Sequence, residues 1–237
     1  MIKTNRLLSK EISIAIIAKD EERSMGGVIS QILEVLDQST IQSYEVFLID
    51  GYSEDNTIGI AKELGIDIFE VNGEKGDSIR EAMKVARGKY VLFIDADGSH
   101  IPKDIPQLLK TIKESGSDMV IVSRILGSSE ELGVKNWDSL LRLLGNRLST
   151  FIVNLRWGTK LTDIQNGFRI IKRDAALGLN LKEKGFAIEQ EMVMQCLKRN
   201  KKVSEISGVE RRRLFGNSKV CKRKEFGKYL WSLLKNL

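Results

Sequence analysis

The chain alternates between short apolar runs rich in β-branched residues and longer stretches whose apolar positions recur every three or four residues. Residues 12–18 (ISIAIIA) are apolar at every position but one, as a strand buried on both faces requires. After Ser24, the positions Val28, Ile29, Ile32, Leu33, Val35 and Leu36 share one face of a helix. Residues 44–50 (YEVFLID) predict a second strand. Asp55, Asn56 and Thr57 then offer caps for a helix that Gly65 ends. Residues 66–71 predict a third strand, 77–86 a helix and 89–95 (KYVLFID) a fourth strand. Pro102 and Pro106 open a helix reaching about Glu114, and 118–123 (DMVIVS) predict a further strand. Strand and helix thus alternate to about residue 125, the pattern of βαβ units in a mainly parallel sheet.

The second half reads differently. It predicts one long amphipathic helix over 137–157, a strand over 167–172, a helix over 187–199 and a strand over 202–209. No internal repeat, low-complexity segment or linker stands out. The expected layout is a single α/β domain over 1–220 and a basic amphipathic helix over 221–237.

In open α/β sheets, ligands sit at the carboxyl ends of the strands. Three acids fall there: Asp50, Asp95 and Asp97. The first strand-to-helix turn reads IAKDEERSMGG, so the dinucleotide fingerprint GxGxxG is absent, and no GxxxxGK[ST] occurs. Asp95-Ala96-Asp97 places two carboxylates at the end of a buried strand, where they need a cation or donors. Mg²⁺ or Mn²⁺ suits such a pair, taking one or two carboxylates and completing its shell with phosphate oxygens. A pair of solvated loop acids capping the next helix is the alternative reading of the same residues.

Composition excludes several classes. With 237 residues, 42% of them hydrophobic and 30% charged, the chain has the make-up of a folded domain rather than a disordered one. Two cysteines make no disulfide framework. No apolar run approaches the ~18 residues of a membrane span, and the first residues lack a signal-peptide core. The net charge of +6 is uneven: residues 211–237 hold nine Lys or Arg and one acid, so the remainder carries −2. A tail of +8 expects an anionic partner. Nucleic acid is a poor candidate, because the acids at the strand ends would repel its phosphates.

The run IIAKDEER, LIDGYSEDNT, EKGDSIREAM and VLFIDADGSHIPKDIPQLL resembles the family 2 glycosyltransferases of GT-A fold, and among them the dolichyl-phosphate (polyprenyl-phosphate) mannosyl and glucosyl transferases. The resemblance continues through MVIVSR, LLRLLGNRLST, LTDIQNGFRIIKR, FAIEQEM and RRRLFGNSK, over about 200 residues. It implies a GT-A (Rossmann-like) sheet flanked by helices. Its nucleotide pocket would be lined by Ala18, Asp20 and Glu22, with Asp50 near the base. Asp95 and Asp97 match the acids that contact ribose and metal. Ser99 stands where relatives carry an amide and becomes the third candidate metal ligand. Arg124, Arg142 and Arg213 match positions that grip an acceptor phosphate, Lys219 falls where a donor-diphosphate contact is expected, and Lys75 is counted among the donor-binding residues. Lys19 stands where many relatives have Tyr or Phe, and Asp55-Asn56-Thr57 lacks the usual Gly.

The resemblance therefore implies inverting transfer of a hexose from a GDP- or UDP-sugar to a polyprenyl phosphate, with mannose or glucose foremost and N-acetylglucosamine as a further option. An ionised phosphate needs no general base; it needs positive charge to hold it and a Lewis acid on the leaving diphosphate. A sugar or small hydroxylated acceptor is the alternative, and a non-catalytic membrane-docked scaffold is a second. Glu189 and Glu191 are candidate bases for a hydroxyl. Their spacing puts them on different helix faces, so one is expected to face solvent. His100 reads as a packing residue and Cys196 as helix core. Residues 165–169 (QNGFR) shape an acceptor pocket or simply turn before a strand. At the end of the chain, Phe226, Tyr229, Leu230, Leu233, Leu234 and Leu237 share helical spacing among lysines and arginines. That segment is expected on an anionic leaflet at the cytoplasmic membrane face, or packed on the body or on a membrane subunit.

Overall fold

In the computed structural model, residues 10–130, 137–216 and 222–237 are described, without the side chains of 137–139, 141–142 and 222–226. The chain runs β1 (Lys10–Ala18), α1 (Glu22–Asp37), β2 (Tyr44–Asp50), α2 (Thr57–Glu63), β3 (Asp67–Glu70), α3 (Lys75–Val85) and β4 (Gly88–Asp95). A 3-10 turn (Pro102–Asp104) leads into α4 (Ile105–Glu114), β5 (Met119–Ser129) and α5 (Trp137–Trp157). Then follow β6 (Arg169–Lys172), α6 (Arg173–Leu177), α7 (Ile188–Lys198), β7 (Val203–Glu210) and α8 (Lys222–Asn236).

One seven-stranded sheet has the order β3-β2-β1-β4-β6-β5-β7. β1 pairs in parallel with β2 and β4, and β5 with β7, while β6 is antiparallel to both of its neighbours. Two reversals cancel, so every strand except β6 points the same way. The carboxyl ends of β1, β2, β4 and β5 therefore open on one edge.

The apolar runs exist because helices cover both faces. Ile12, Ile14 and Ile16 of β1 pack toward Met25, Ile29 and Ile32 of α1 and Leu108 and Ile112 of α4. Ala15 and Ile17 face Ile79 and Ala82 of α3 and Met192 and Val193 of α7. Alternate positions thus meet two different cores, which removes the polar half of the usual strand alternation.

The long helix predicted over 137–157 is present. The strand expected over 118–123 runs on to Ser129, with a register irregularity against β7 between Ser123 and Ser128. α8 packs on the body: Leu233 is buried in the core, Gln190 Nε2 donates to the Tyr229 carbonyl at 2.6 Å, and Gln195 Nε2 donates to Asn236 Oδ1 at 2.9 Å. Among the described residues, no helix is long and apolar enough to cross a membrane.

Candidate active site

Two loops at the ends of β1 and β2 are laced together by carboxylates. Asp50 is fully buried, and it accepts from the Ser53 amide at 2.8 Å and the Ser53 hydroxyl at 2.6 Å. The same hydroxyl accepts from the Asp20 amide at 2.8 Å. Asp20 Oδ1 accepts from the Glu54 amide at 2.8 Å, and Glu22 Oε2 from the Asn56 amide at 3.1 Å. The Gly51 amide donates to the Ala18 carbonyl at 2.8 Å. Ala18, Asp20, Glu22 and Asp50 are thus gathered in one double loop, where the three acids brace its backbone.

At the end of β4, Lys75 from α3 reaches Asp95, with Nζ at 2.8 Å from Oδ1 and 2.9 Å from Oδ2. The same ammonium lies 2.8 Å from Glu189 Oε1 on α7, and 5.3 Å from the centre of the Phe186 ring. Burial opposes the Lys75 charge, but Asp95 and Glu189 outweigh it and hold its pKa above the ordinary value. Burial likewise pushes Asp95 up, and Lys75, with His100 and Arg169, more than reverses it. Gly167 lies against this cluster: a Cβ there would come within 2.9 Å of Asp95 Oδ2 and 3.2 Å of Lys75 Nζ. Glu189 Oε2 is buried with no hydrogen-bond partner among the described residues.

Asp97 behaves differently from Asp95. Its Oδ1 accepts from the Ser99 amide at 2.9 Å and the Ser99 hydroxyl at 2.7 Å. Its Oδ2 accepts no hydrogen bond from a described residue. One open carboxylate oxygen beside a sheet edge fits a hard divalent cation whose other ligands are diphosphate oxygens and water. The described residues hold no cluster of three His, Cys, Asp or Glu that would cage a metal unaided. Ser99 is buried and its hydroxyl is spent on Asp97. His100 stacks on Phe168 at 5.1 Å and accepts from the Asp95 amide through Nδ1 at 3.3 Å, the packing role expected of it.

The segment 210–216 is strapped across this loop. The Leu214 amide donates to the Asp97 carbonyl and the Arg211 amide to the Ser99 carbonyl, both at 2.9 Å. Leu214 sits over Gly98, whose φ of +76° and missing Cβ make room for it. Arg213 Nη2 then donates to both oxygens of Glu21, at 2.6 and 2.9 Å, tying the strap to the first loop.

Arg124, midway along β5 where its register against β7 shifts, is held in a largely buried fork: Nε lies 2.5 Å from Asp163 Oδ2 and Nη2 lies 2.9 Å from Asp163 Oδ1. Its Nη1 lies 3.4 Å from Glu210. Asn146 of α5 donates to Asp163 Oδ1 at 3.0 Å. Burial opposes the Asp163 charge, and the Arg124 guanidinium overcomes it, taking the carboxyl down to about 2. Arg124 therefore joins β5, α5 and β7, and meets a further anion only beside these two acids. The side chain of Arg142 and the whole of Lys219 lie outside the described residues.

Sequence reasoning expected solvent at Glu189 or Glu191, yet both are buried. The start of α7 is enclosed on two sides. Glu189 faces Lys75 of α3, while Glu191 accepts from the amides of Lys182 and Glu183 at 2.8 to 3.1 Å. Cys196 is buried in the helix core as expected, and the surroundings push its thiol up to about 12. Arg169, read only as part of a turn or pocket, is the largest fully buried side chain. Its guanidinium donates to the carbonyls of Asn166 and Ile164 and, at 2.7 Å, to that of Glu189. Lys75 and Glu189 are the pair that spacing alone did not connect. The only signal was an acid pair opening a helix in FAIEQEM.

Comparison with known proteins places this geometry. The chain is 31% identical to the glycosyltransferase AglJ of Haloferax volcanii over 163 residues, covering 68% of this chain and 52% of that protein. It is 29% identical to the uncharacterized protein MJ1222 of Methanocaldococcus jannaschii over 210 residues, covering 85% and 82%. The fold matches glucosyl-3-phosphoglycerate synthase of Mycobacterium tuberculosis, solved with Mn²⁺, UDP-glucose and phosphoglyceric acid. The TM-score is 0.77 at 18% identity, over 98% of this chain and 81% of that one. The family model described as Glycosyl transferase family 2 matches residues 13–178, from β1 past β6. These residues carry the loops after β1 and β2, the Asp95–Asp97 turn and Arg124. The chain belongs to the family 2 glycosyl transferases.

Proposed function

We propose that the protein transfers a hexose, with inversion, from a GDP- or UDP-hexose to a polyprenyl (dolichyl-type) phosphate at a membrane surface. The observation that carries the donor half is Asp97: one carboxylate oxygen left open at the carboxyl end of β4, beside an Asp95 held by Lys75. Asp97 and the donor diphosphate would together hold Mg²⁺ or Mn²⁺, which when bound supplies Lewis-acid stabilisation to the departing diphosphate. Lys75 fixes Asp95 toward the sugar-nucleotide. The double loop of Asp20, Glu22 and Asp50 walls the nucleoside. Arg213 of the strap and Arg142 of α5 supply positive charge, with Lys219 as a further cation in the sequence and Arg124 framing the same edge.

The acceptor half is supported by charge. Residues 211–237 carry +8, and a phosphate nucleophile needs cations rather than a base. One observation favours a second reading, a hydroxylated acceptor: the unpartnered Glu189 Oε2 beside Lys75 would accept a hydroxyl proton. A transfer assay separates the two. Purified protein is incubated with GDP- and UDP-sugars, Mg²⁺ or Mn²⁺, and either a polyprenyl phosphate or phosphoglyceric acid. Mass spectrometry then looks for the glycosylated acceptor, with EDTA as control. A metal-dependent glycosyl phospholipid is the expected product. Transfer only to the small hydroxylated acceptor would replace the first reading by the second.

A further inference from the structure

α5 is turned inside out over its middle. Among the described residues its buried positions are Asn146, Ser149, Thr150 and Val153, three of them polar. Asn146 is satisfied by Asp163 and by Thr150. Its outward face holds Leu144, Leu148, Phe151 and Leu155, spaced four, three and four apart, so that they form one stripe along the helix. Leu155 is 76% exposed and Phe151 62%. A stripe of this kind is not required by the core, which the opposite face already meets with polar groups.

α8 packs against α5 and continues the exposed apolar surface with Leu230, Trp231 and Leu234, while Leu233 alone of these leucines points inward. Half of the fourteen exposed large hydrophobics among the described residues lie on these two helices. Concentration on this scale marks an interaction site rather than ordinary surface. The charge around it is mainly positive, with one acid on each helix, Asp138 on α5 and Glu225 on α8. Residues 139–162 contain four Lys or Arg and no acid, and 226–237 contain two lysines and no acid. Arg147, Arg156, Lys228 and Lys235 are all exposed. Two copies meeting through this surface would bring like charges together, whereas an anionic leaflet takes the apolar stripe into its acyl boundary and the cations at its headgroups.

We propose that the outward faces of α5 and α8 form one surface that seats the protein on an anionic lipid leaflet. Its purpose rests on the lipid-acceptor reading, because Asn146 of α5 touches Asp163 beside Arg124, and α8 touches Gln190 next to Glu189. The seat therefore adjoins the acceptor side of the site. The α5 stripe, not the basic tail alone, is the decisive element.

The test is co-sedimentation of the full chain with phosphatidylcholine vesicles, with and without phosphatidylglycerol. The variant Phe151→Glu/Leu155→Glu keeps the whole tail and changes only exposed positions, and thermal unfolding confirms that it folds. Wild type should bind the anionic vesicles, and the variant should partition about tenfold or more weakly. Equal binding by both proteins would overturn the proposal and leave the tail charge as the anchor. Failure of wild type to bind any vesicle would also overturn it. A dimer in sedimentation equilibrium that the double variant dissociates would assign the face to a second copy instead. Transfer to a detergent-dispersed acceptor is measured in parallel. If wild type binds vesicles but glycosylates no lipid phosphate, the acceptor reading falls and the surface stands.

Discussion

Two buried cations in this molecule each bridge two carboxylates, and they differ in one respect. Arg124 grips Asp163 with a planar fork, and the remaining oxygens of its partners are satisfied. Asn146 and the Gln165 amide donate to Asp163, and the Ser129 hydroxyl donates to Glu210 at 2.6 Å. Lys75 is a point charge between Asp95 and Glu189, and Glu189 keeps a buried oxygen with no partner among the described residues. A saturated network holds helices and strands in register. An unsaturated one, beside the Asp95–Asp97 turn, has capacity left for a substrate. The comparison separates brace from site inside one sheet edge.

The largest expected effect tests the site side. Asp97→Asn keeps the shape and the Ser99 contacts but weakens the cation ligand, so turnover should fall on the order of a thousandfold. Circular dichroism should be unchanged, and activity near wild type would end the metal role of Asp97. Next comes removal of each bridging cation. Lys75→Met and Arg124→Met each leave two acids facing one another, at about 3–5 kcal/mol of stability measured by urea unfolding. The two should part in kinetics: at temperatures where both remain folded, donor binding falls in the Lys75 variant and holds in the Arg124 variant. Identical donor affinities would erase the distinction drawn above.

Acid titration probes the brace through the difference between wild type and Asp163→Asn, because Asp95 is also held below its ordinary value. The Asp163 carboxyl moves from its ordinary 3.8 to about 2 in the folded state. A depressed folded pKa means stability that is fully present above about 3.8 and lost as pH falls toward about 2. The midpoint of unfolding should drop through that window, and Asp163→Asn should flatten the drop. A wild-type curve already flat there would show that Asp163 gains nothing from Arg124. The smallest effect is expected at Glu189→Gln. Lipid phosphate as acceptor predicts a loss below about tenfold, whereas a base for a hydroxyl predicts on the order of a thousandfold.

The residues proposed for the donor half were legible in the sequence because local rules place them. An apolar run buried on both faces must end where the sheet ends, and an acid at that end points into the ligand edge. Asp50, Asp95 and Asp97 needed no more than that. The residues proposed for the acceptor half were less legible. Arg124 reads equally as a surface arginine, a phosphate ligand or an ion-pair brace, and only Asp163, 39 residues away, separates these readings.

The sequence by itself determined the alternating β and α elements, the mainly parallel sheet and the edge on which chemistry sits. Each follows from periodicity within one element, which neighbouring residues encode. Tertiary structure alone decided the reversal of β6, whose four residues carry too little pattern to show direction. It also decided which cation meets which acid: Lys75 joins Asp95 and Glu189 from three separate elements. Finally it decided which face of α5 is inward. Amphipathicity names two faces, but the choice between them belongs to the neighbours: Asp163 draws Asn146 in and leaves Phe151 and Leu155 outside.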